Sequence, residues 1–189
     1  MLKQGCLQIL VIFSLWCLSG CSSIWTGAQL VYDRHDVYKK LDDYHLYVKV
    51  NNAITVDKLF KDSRSPLDIA VFNGDVLIAG QVPTQRMHAE LQRRLDTVQG
   101  ARRMFNEVRV DTNPPNSMED NWITAKIRSQ IFADASIDPN AFKVVTSKGI
   151  VYLMGDVRPD EAATVINFTR HTAGVRHVVK VLKYLVYQK

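Results

Sequence analysis

Apolar residues recur every four positions in two separate stretches of the chain. Leu46, Val50 and Ile54 do so within "DDYHLYVKVNNAITVD" (42–57), and Ile123, Ile127 and Ile131 within "EDNWITAKIRSQIFAD" (119–134). That spacing places each triplet on one helical face and predicts two amphipathic helices. The stretches superpose without a gap, with Asp43 on Asp120, Lys49 on Lys126 and Asp57 on Asp134. Downstream the period falls to two. "LDIAVFNGDVLIAGQV" (67–82) and "FKVVTSKGIVYLMGDV" (142–157) each predict two strands around a turn, and Asn73-Gly74 is the stronger signal because a type I′ turn needs positive φ at both central residues.

Val76, Ile78, Gly80 and Val82 share one face of the second strand, as do Val151, Leu153, Gly155 and Val157. A glycine on the buried side of a strand predicts a close backbone approach, here by a helix descending onto the sheet. The opposite face carries Leu77 and Ala79, or Ile150, Tyr152 and Met154. It is too apolar to be left in water, so it is expected to pack on the other repeat or on a partner.

A second helix follows in each copy, "PTQRMHAELQRRLDTVQG" (83–100) and "RPDEAATVINFTRHTAG" (158–174), stopped by Gly100 and Gly174. A last strand closes it, "RMFNEVRV" (103–110) or "HVVKVLKYLV" (177–186). Each repeat therefore reads helix, strand, strand, helix, strand. The expected organisation is two α+β modules, 42–110 and 119–186, joined by a linker at 111–118 whose paired prolines suit neither helix nor sheet. Modules of this size have modest cores, which favours packing one against the other.

The N-terminus changes the picture more than composition does. Lys3 precedes the thirteen-residue apolar run "CLQILVIFSLWCL" (6–18), short of the roughly 20 residues that span a bilayer and within the range of a signal-peptide core. An uncleaved anchor is the alternative. The run leads into "LSGC" (18–21), which resembles the bacterial lipobox. This predicts a lipoprotein signal at 1–20, lipid attachment at Cys21 and a tether at 21–41. Cys6 and Cys17 would leave with the signal, so thiol catalysis and cysteine metal sites are excluded from the mature chain. Ser22 after the cysteine is similar to the pattern that sorts enteric lipoproteins to the outer membrane. The chain would then face the periplasm, where nucleic acid is not an expected partner. A net charge of +5 suits an anionic surface without identifying one.

Catalytic patterns are missing. His35, His45, His88, His171 and His177 are scattered without zinc-helix spacing, and no P-loop, G-x-S-x-G or G-x-G-x-x-G motif occurs. Asp160 and Glu161 suit the first turn of a helix, where carboxylates offset the dipole. Arg93, Arg94, Arg102 and Arg103 are expected on a solvated helix face and its C-terminal end rather than at a phosphate site.

The twin pattern of an acidic-started helix, "NG" or "KG", "VLIAGQV" or "VYLMGDV", a helix and a G-x-R strand resembles the BON domain over residues 42–186. Two such domains behind a lipobox are similar to dual-BON outer-membrane lipoproteins of the DolP type. The resemblance implies an αββαβ fold in each module, a three-stranded sheet against two helices, with no catalysis and no cofactor. It also implies binding of anionic, phosphatidylglycerol-like phospholipid by the first helix of the second module, in support of outer-membrane integrity. The candidate residues there are Asn121, Trp122, Lys126, Arg128 and Ser129, and the first module carries His45 in place of Trp122.

The helix itself supports that choice. At about 100° per residue, Trp122 falls about 140° from the centre of the Ile123–Ile127–Ile131 stripe, which predicts exposure. Asp120 or Asn121 can cap the first turn, putting Trp122 near free backbone N–H groups that favour anions. An indole suits a bilayer interface because its ring is apolar and its N–H finds polar partners. Lys126 lies one turn on and Arg128 flanks the stripe from the other side. The alternative is that Trp122 fills a crevice against the linker or the other module. A rival function is an adaptor or chaperone for outer-membrane assembly proteins, working through the apolar sheet faces.

Overall fold

The computed structural model describes residues 34–56, 58–60, 66–113 and 115–185. The signal peptide, Cys21 and the tether up to residue 33 lie outside the described residues. His35–Lys189 form one compact unit.

The first module runs α1 (Arg34–Thr55), β1 (Leu67–Phe72), β2 (Asp75–Val82), α2 (Gln85–Leu95) and β3 (Arg103–Val110). The second runs α3 (Ser117–Ala133), a 3-10 turn (Pro139–Ala141), β4 (Phe142–Ser147), β5 (Ile150–Val157), α4 (Pro159–His171) and β6 (His177–Tyr184). Each sheet has the second hairpin strand in the middle, antiparallel to its hairpin partner and parallel to the strand that follows the second helix. The parallel pairing requires a crossover, and α2 and α4 supply it. Both modules are thus αββαβ, as expected. α1 starts at Arg34 rather than at 42, since "RHDVYKK" has no helix breaker, and α3 starts at Ser117, just after the prolines.

Two faces of each central strand are covered by different neighbours. In β2, Val76, Ile78 and Val82 join Leu46, Val50 and Ile54 of α1 and Leu91 and Leu95 of α2. In β5, Val151, Leu153 and Val157 join the three isoleucines of α3 and Ala162 and Val165 of α4. The other faces meet each other, with Ala70, Leu77 and Ala79 packed on Ile150, Tyr152, Met154 and Val181. The order of layers is helix, sheet, sheet, helix. Both central strands are consequently buried along almost their whole length. Of the two occupants expected for the apolar sheet faces, the structure shows the other module.

The strand glycines allow a close approach, but not of a helix. A Cβ on Gly80 would lie 2.2 Å from the carbonyl oxygen of Pro66, and one on Gly155 2.3 Å from that of Ala141. What comes down is the chain entering the neighbouring strand, because the hairpin must start beside the glycine that ends its ladder. Gly80 also has φ +133°, a conformation open mainly to glycine.

The repeated acid of each first helix has a role that spacing alone did not reveal. Asp43 accepts from the amides of Asn73 and Gly74 at 2.7 and 2.8 Å, and Asp120 from those of Lys148 and Gly149, both at 2.8 Å. Each hairpin turn, with positive φ at both central residues, is thereby tied to the helix over it. Asp120 is spent on that contact, so the cap of α3 falls to Asn116, whose side chain accepts from Glu119 N.

The arginines are likewise internal ties. Arg94 is buried and donates to the Ile54 carbonyl at the end of α1, while Arg102 and Arg103 both grip the buried Asp75 carboxylate. Arg102 continues across the seam to Asp156 at 3.0 Å. Of the four arginines, Arg93 stays on the exposed face, paired with Glu90. The solvated cluster expected from the sequence is replaced by these contacts, because each guanidinium finds a carbonyl or carboxylate that the fold would otherwise leave without a donor.

Candidate functional site

α3 is fixed from below and free above. Ile123 and Ile127 are fully buried and Ile131 nearly so, Asp120 holds the hairpin, and Thr124 Oγ1 donates to Thr146 Oγ1 at 2.7 Å. These contacts set the rotation of the helix about its axis. The opposite half faces outward.

Trp122 is 50% exposed on that half, so the crevice alternative does not hold. The Lys126 ammonium lies 4.9 Å from the centre of its ring, a cation–π contact of about 0.5–1 kcal/mol at an exposed position. Asn121, Arg128 and Ser129 are also exposed, and Ser129 donates its hydroxyl to the Lys126 carbonyl. The five residues singled out in the sequence thus share one outward surface, spanning about 160° of the helix. Trp122 is not at the helix start, however. It is the sixth residue of α3, and of the first-turn amides that of Glu119 donates to Asn116 Oδ1 and that of Asp120 to the Asn116 carbonyl. The positive charge on this surface is that of Lys126 and Arg128.

Two residues escaped the sequence reading. Met118 and Phe132 are 82% and 80% exposed, and on the helical wheel they lie about 40° and 80° from Trp122 on the side toward Arg128. With Ala125 between them they extend the indole into an apolar strip roughly 20 Å long, given 1.5 Å of rise per residue. The signal was present in the sequence as a second set of apolar positions on the side away from the isoleucines. One buried face on an amphipathic helix makes the remainder read as solvated, which masks such a second set. A strip of large apolar side chains bordered by cations can enter a membrane interface, where ring and thioether leave water and the ammonium stays at head-group level.

Among the described residues no helix is long and apolar enough to cross a membrane, and no group of three His, Cys, Asp or Glu side chains converges as a metal site.

Comparison with known proteins places this architecture. The BON domain family model matches residues 119–185, the whole of the second module from within α3 to the end of β6. The outer membrane lipoprotein DolP of Haemophilus influenzae is 29% identical over 175 residues, covering 89% of this chain and 90% of that protein. The 21 kDa hemolysin of Actinobacillus pleuropneumoniae is 28% identical, covering 77% and 76%. Among solved structures, the C-terminal domain of the type III secretion protein CdsD of Chlamydia trachomatis aligns with a TM-score of 0.30 at 19% identity, covering 76% of this chain and 67% of that one. Folded as two αββαβ modules of which the second matches the BON domain family, the chain is similar along most of its length to an outer-membrane lipoprotein of the DolP type.

Proposed function

We propose that this outer-membrane lipoprotein has a non-catalytic role, binding anionic phospholipid through the outward face of α3 and so supporting membrane integrity from the periplasmic side. The observation that carries the reading is the half-exposed Trp122 ring with the Lys126 ammonium 4.9 Å away. Met118 and Phe132 enlarge the apolar footprint, and Arg128, Asn121 and Ser129 border it with groups that suit phosphate and glycerol oxygens. Basic residues near an anionic surface contribute about 1 kcal/mol each, so two cations and a few apolar side chains give weak binding in isolation. A lipid on Cys21 would keep the body at the membrane and turn weak contact into persistent contact by raising the effective concentration.

An adaptor for outer-membrane assembly proteins could not use the apolar sheet surfaces, because they are buried against each other. The test is sedimentation of the protein with phosphatidylglycerol vesicles. Trp122→Glu is expected to lose binding by about tenfold or more while keeping its circular dichroism spectrum, through loss of the interfacial ring and repulsion by the new carboxylate. Undiminished vesicle binding by this folded variant would reject the site.

A further inference from the structure

The two modules differ at one charged triplet in a way that their shared backbone makes conspicuous. In the first module Arg102 and Arg103 converge on Asp75, which is 2% exposed. In the second, the same places hold Arg176, His177 and Ile150. The backbone is alike, with Arg102 N donating to Gly74 O at 2.7 Å and Arg176 N to Gly149 O at 2.8 Å. The cation is repeated and its carboxylate is not. Among the described residues Arg176 makes no ion pair.

Arg176, His177 and Ile150 line a cleft of about 450 Å³ where the two modules and the linker meet. Arg109 and Lys148 line it too, against a single carboxylate, Asp111, which is already paired with Lys148. Positive charge is therefore in excess on its walls.

Gln81 also lines the cleft, and its Nε2 donates to the Asn113 carbonyl at 2.6 Å, which ties this wall to the linker and makes the side-chain amide a reporter of anything bound there.

We propose that this cleft binds a small phosphate ester, its phosphate against Arg176 and Arg109. Arginine suits phosphate because its planar fork donates two parallel hydrogen bonds. The volume is that of a small-molecule site. This chemistry is shared by a free phosphate ester and by the glycerol phosphate of a lipid head group. None of the five α3 residues lines the cleft, so the proposal stands apart from the α3 membrane contact.

The test is an NMR titration of the full chain in neutral detergent with glycerol 3-phosphate, following Gly149, the Arg176 side chain and the Gln81 side-chain amide. Saturable shifts are expected, weakened at least about tenfold in Arg176→Gln, the loss of one charge-assisted hydrogen bond. Ile150→Asp, which restores the internal carboxylate of the first module, should abolish binding, and the exposed Arg176 keeps the test usable if that buried change unfolds the chain. Trp122→Glu should leave the shifts unchanged, which separates this site from the α3 face. Displacement by inorganic phosphate would assign the site to free esters, whereas the same shifts produced by phosphatidylglycerol vesicles in the Trp122→Glu background would assign it to head groups. Absence of saturable shifts, or equal affinity in Arg176→Gln, would overturn the proposal.

Discussion

The first helices of the two modules do the same work underneath and different work on top. Leu46, Val50 and Ile54 of α1 and Ile123, Ile127 and Ile131 of α3 occupy matching core positions, and Asp43 and Asp120 hold matching turns. Outward, His45 stands where Trp122 does, Leu41 where Met118 does and Thr55 where Phe132 does. Lys49 keeps the place of Lys126. Tyr44 packs edge-on against His45 with ring centroids 6.2 Å apart, so α1 presents phenol and imidazole rather than an indole under an ammonium. Positions set by packing and turn geometry are shared between the repeats, whereas positions facing solvent have diverged. That contrast is why α3, and not α1, is the proposed membrane face. The same contrast recurs at Asp75 and Ile150, where one module pairs its own arginine and the other, among the described residues, gives it no ion pair.

The largest expected break in the comparison concerns the features the modules share. Gly80→Ala and Gly155→Ala both drive a Cβ into a carbonyl oxygen, and Gly80 carries the added cost of positive φ. Losses of about 4 kcal/mol for Gly80→Ala and about 3 kcal/mol for Gly155→Ala are expected. Urea unfolding of the two variants would measure them, and equal losses would show that the backbone conformation of Gly80 adds nothing to the clash.

Acid should separate the modules next. Burial by itself would raise the Asp75 pKa, but the hydrogen bonds from Arg102 and Arg103 outweigh it and hold the carboxyl below its ordinary value of 3.8. A lowered folded pKa means stability that is present above the ordinary value and lost as pH falls through the folded one. Asp75→Asn is expected to be less stable by about 2 kcal/mol at neutral pH, and its stability should fall less steeply below about pH 4. Urea midpoints across that range would check both. A variant with the acid dependence of the wild type would remove Asp75 as the group responsible.

The smallest effect sharpens the contrast on the outer faces. His45→Trp places an indole one turn before Lys49, as Trp122 stands before Lys126. A gain of about threefold in phosphatidylglycerol vesicle binding is expected, well under the loss caused by Trp122→Glu. No gain would mean that the apolar strip formed with Met118 and Phe132 matters more than the ring–ammonium pair.

Much of this could be read along the chain, because periodicity and turn chemistry are local. The four-residue spacing of Ile123, Ile127 and Ile131 requires a helix with one buried side, and Asn73-Gly74 supplies the φ values of a tight turn. The exposure of Trp122 followed from the same arithmetic, since a residue about 140° from the buried stripe faces away from it. Partners far apart in sequence could not be read this way. Asp120 and Lys148 are 28 residues apart and Arg102 and Asp156 are 54 apart, and no spacing rule joins them.

The sequence by itself therefore determined the two αββαβ modules, their core faces and the outward turn of one tryptophan, because each depends on the order of neighbouring residues. Only the tertiary structure decided that the apolar sheet faces cover one another, that Pro66 and Ala141 are what press on the glycines, and that Arg102 is held by Asp75. Those outcomes depend on which surfaces meet once both sheets are formed, and the hydrophobic effect that brings them together is non-directional. It dictates that apolar faces be buried, and the shapes and charges of the finished modules select what buries them.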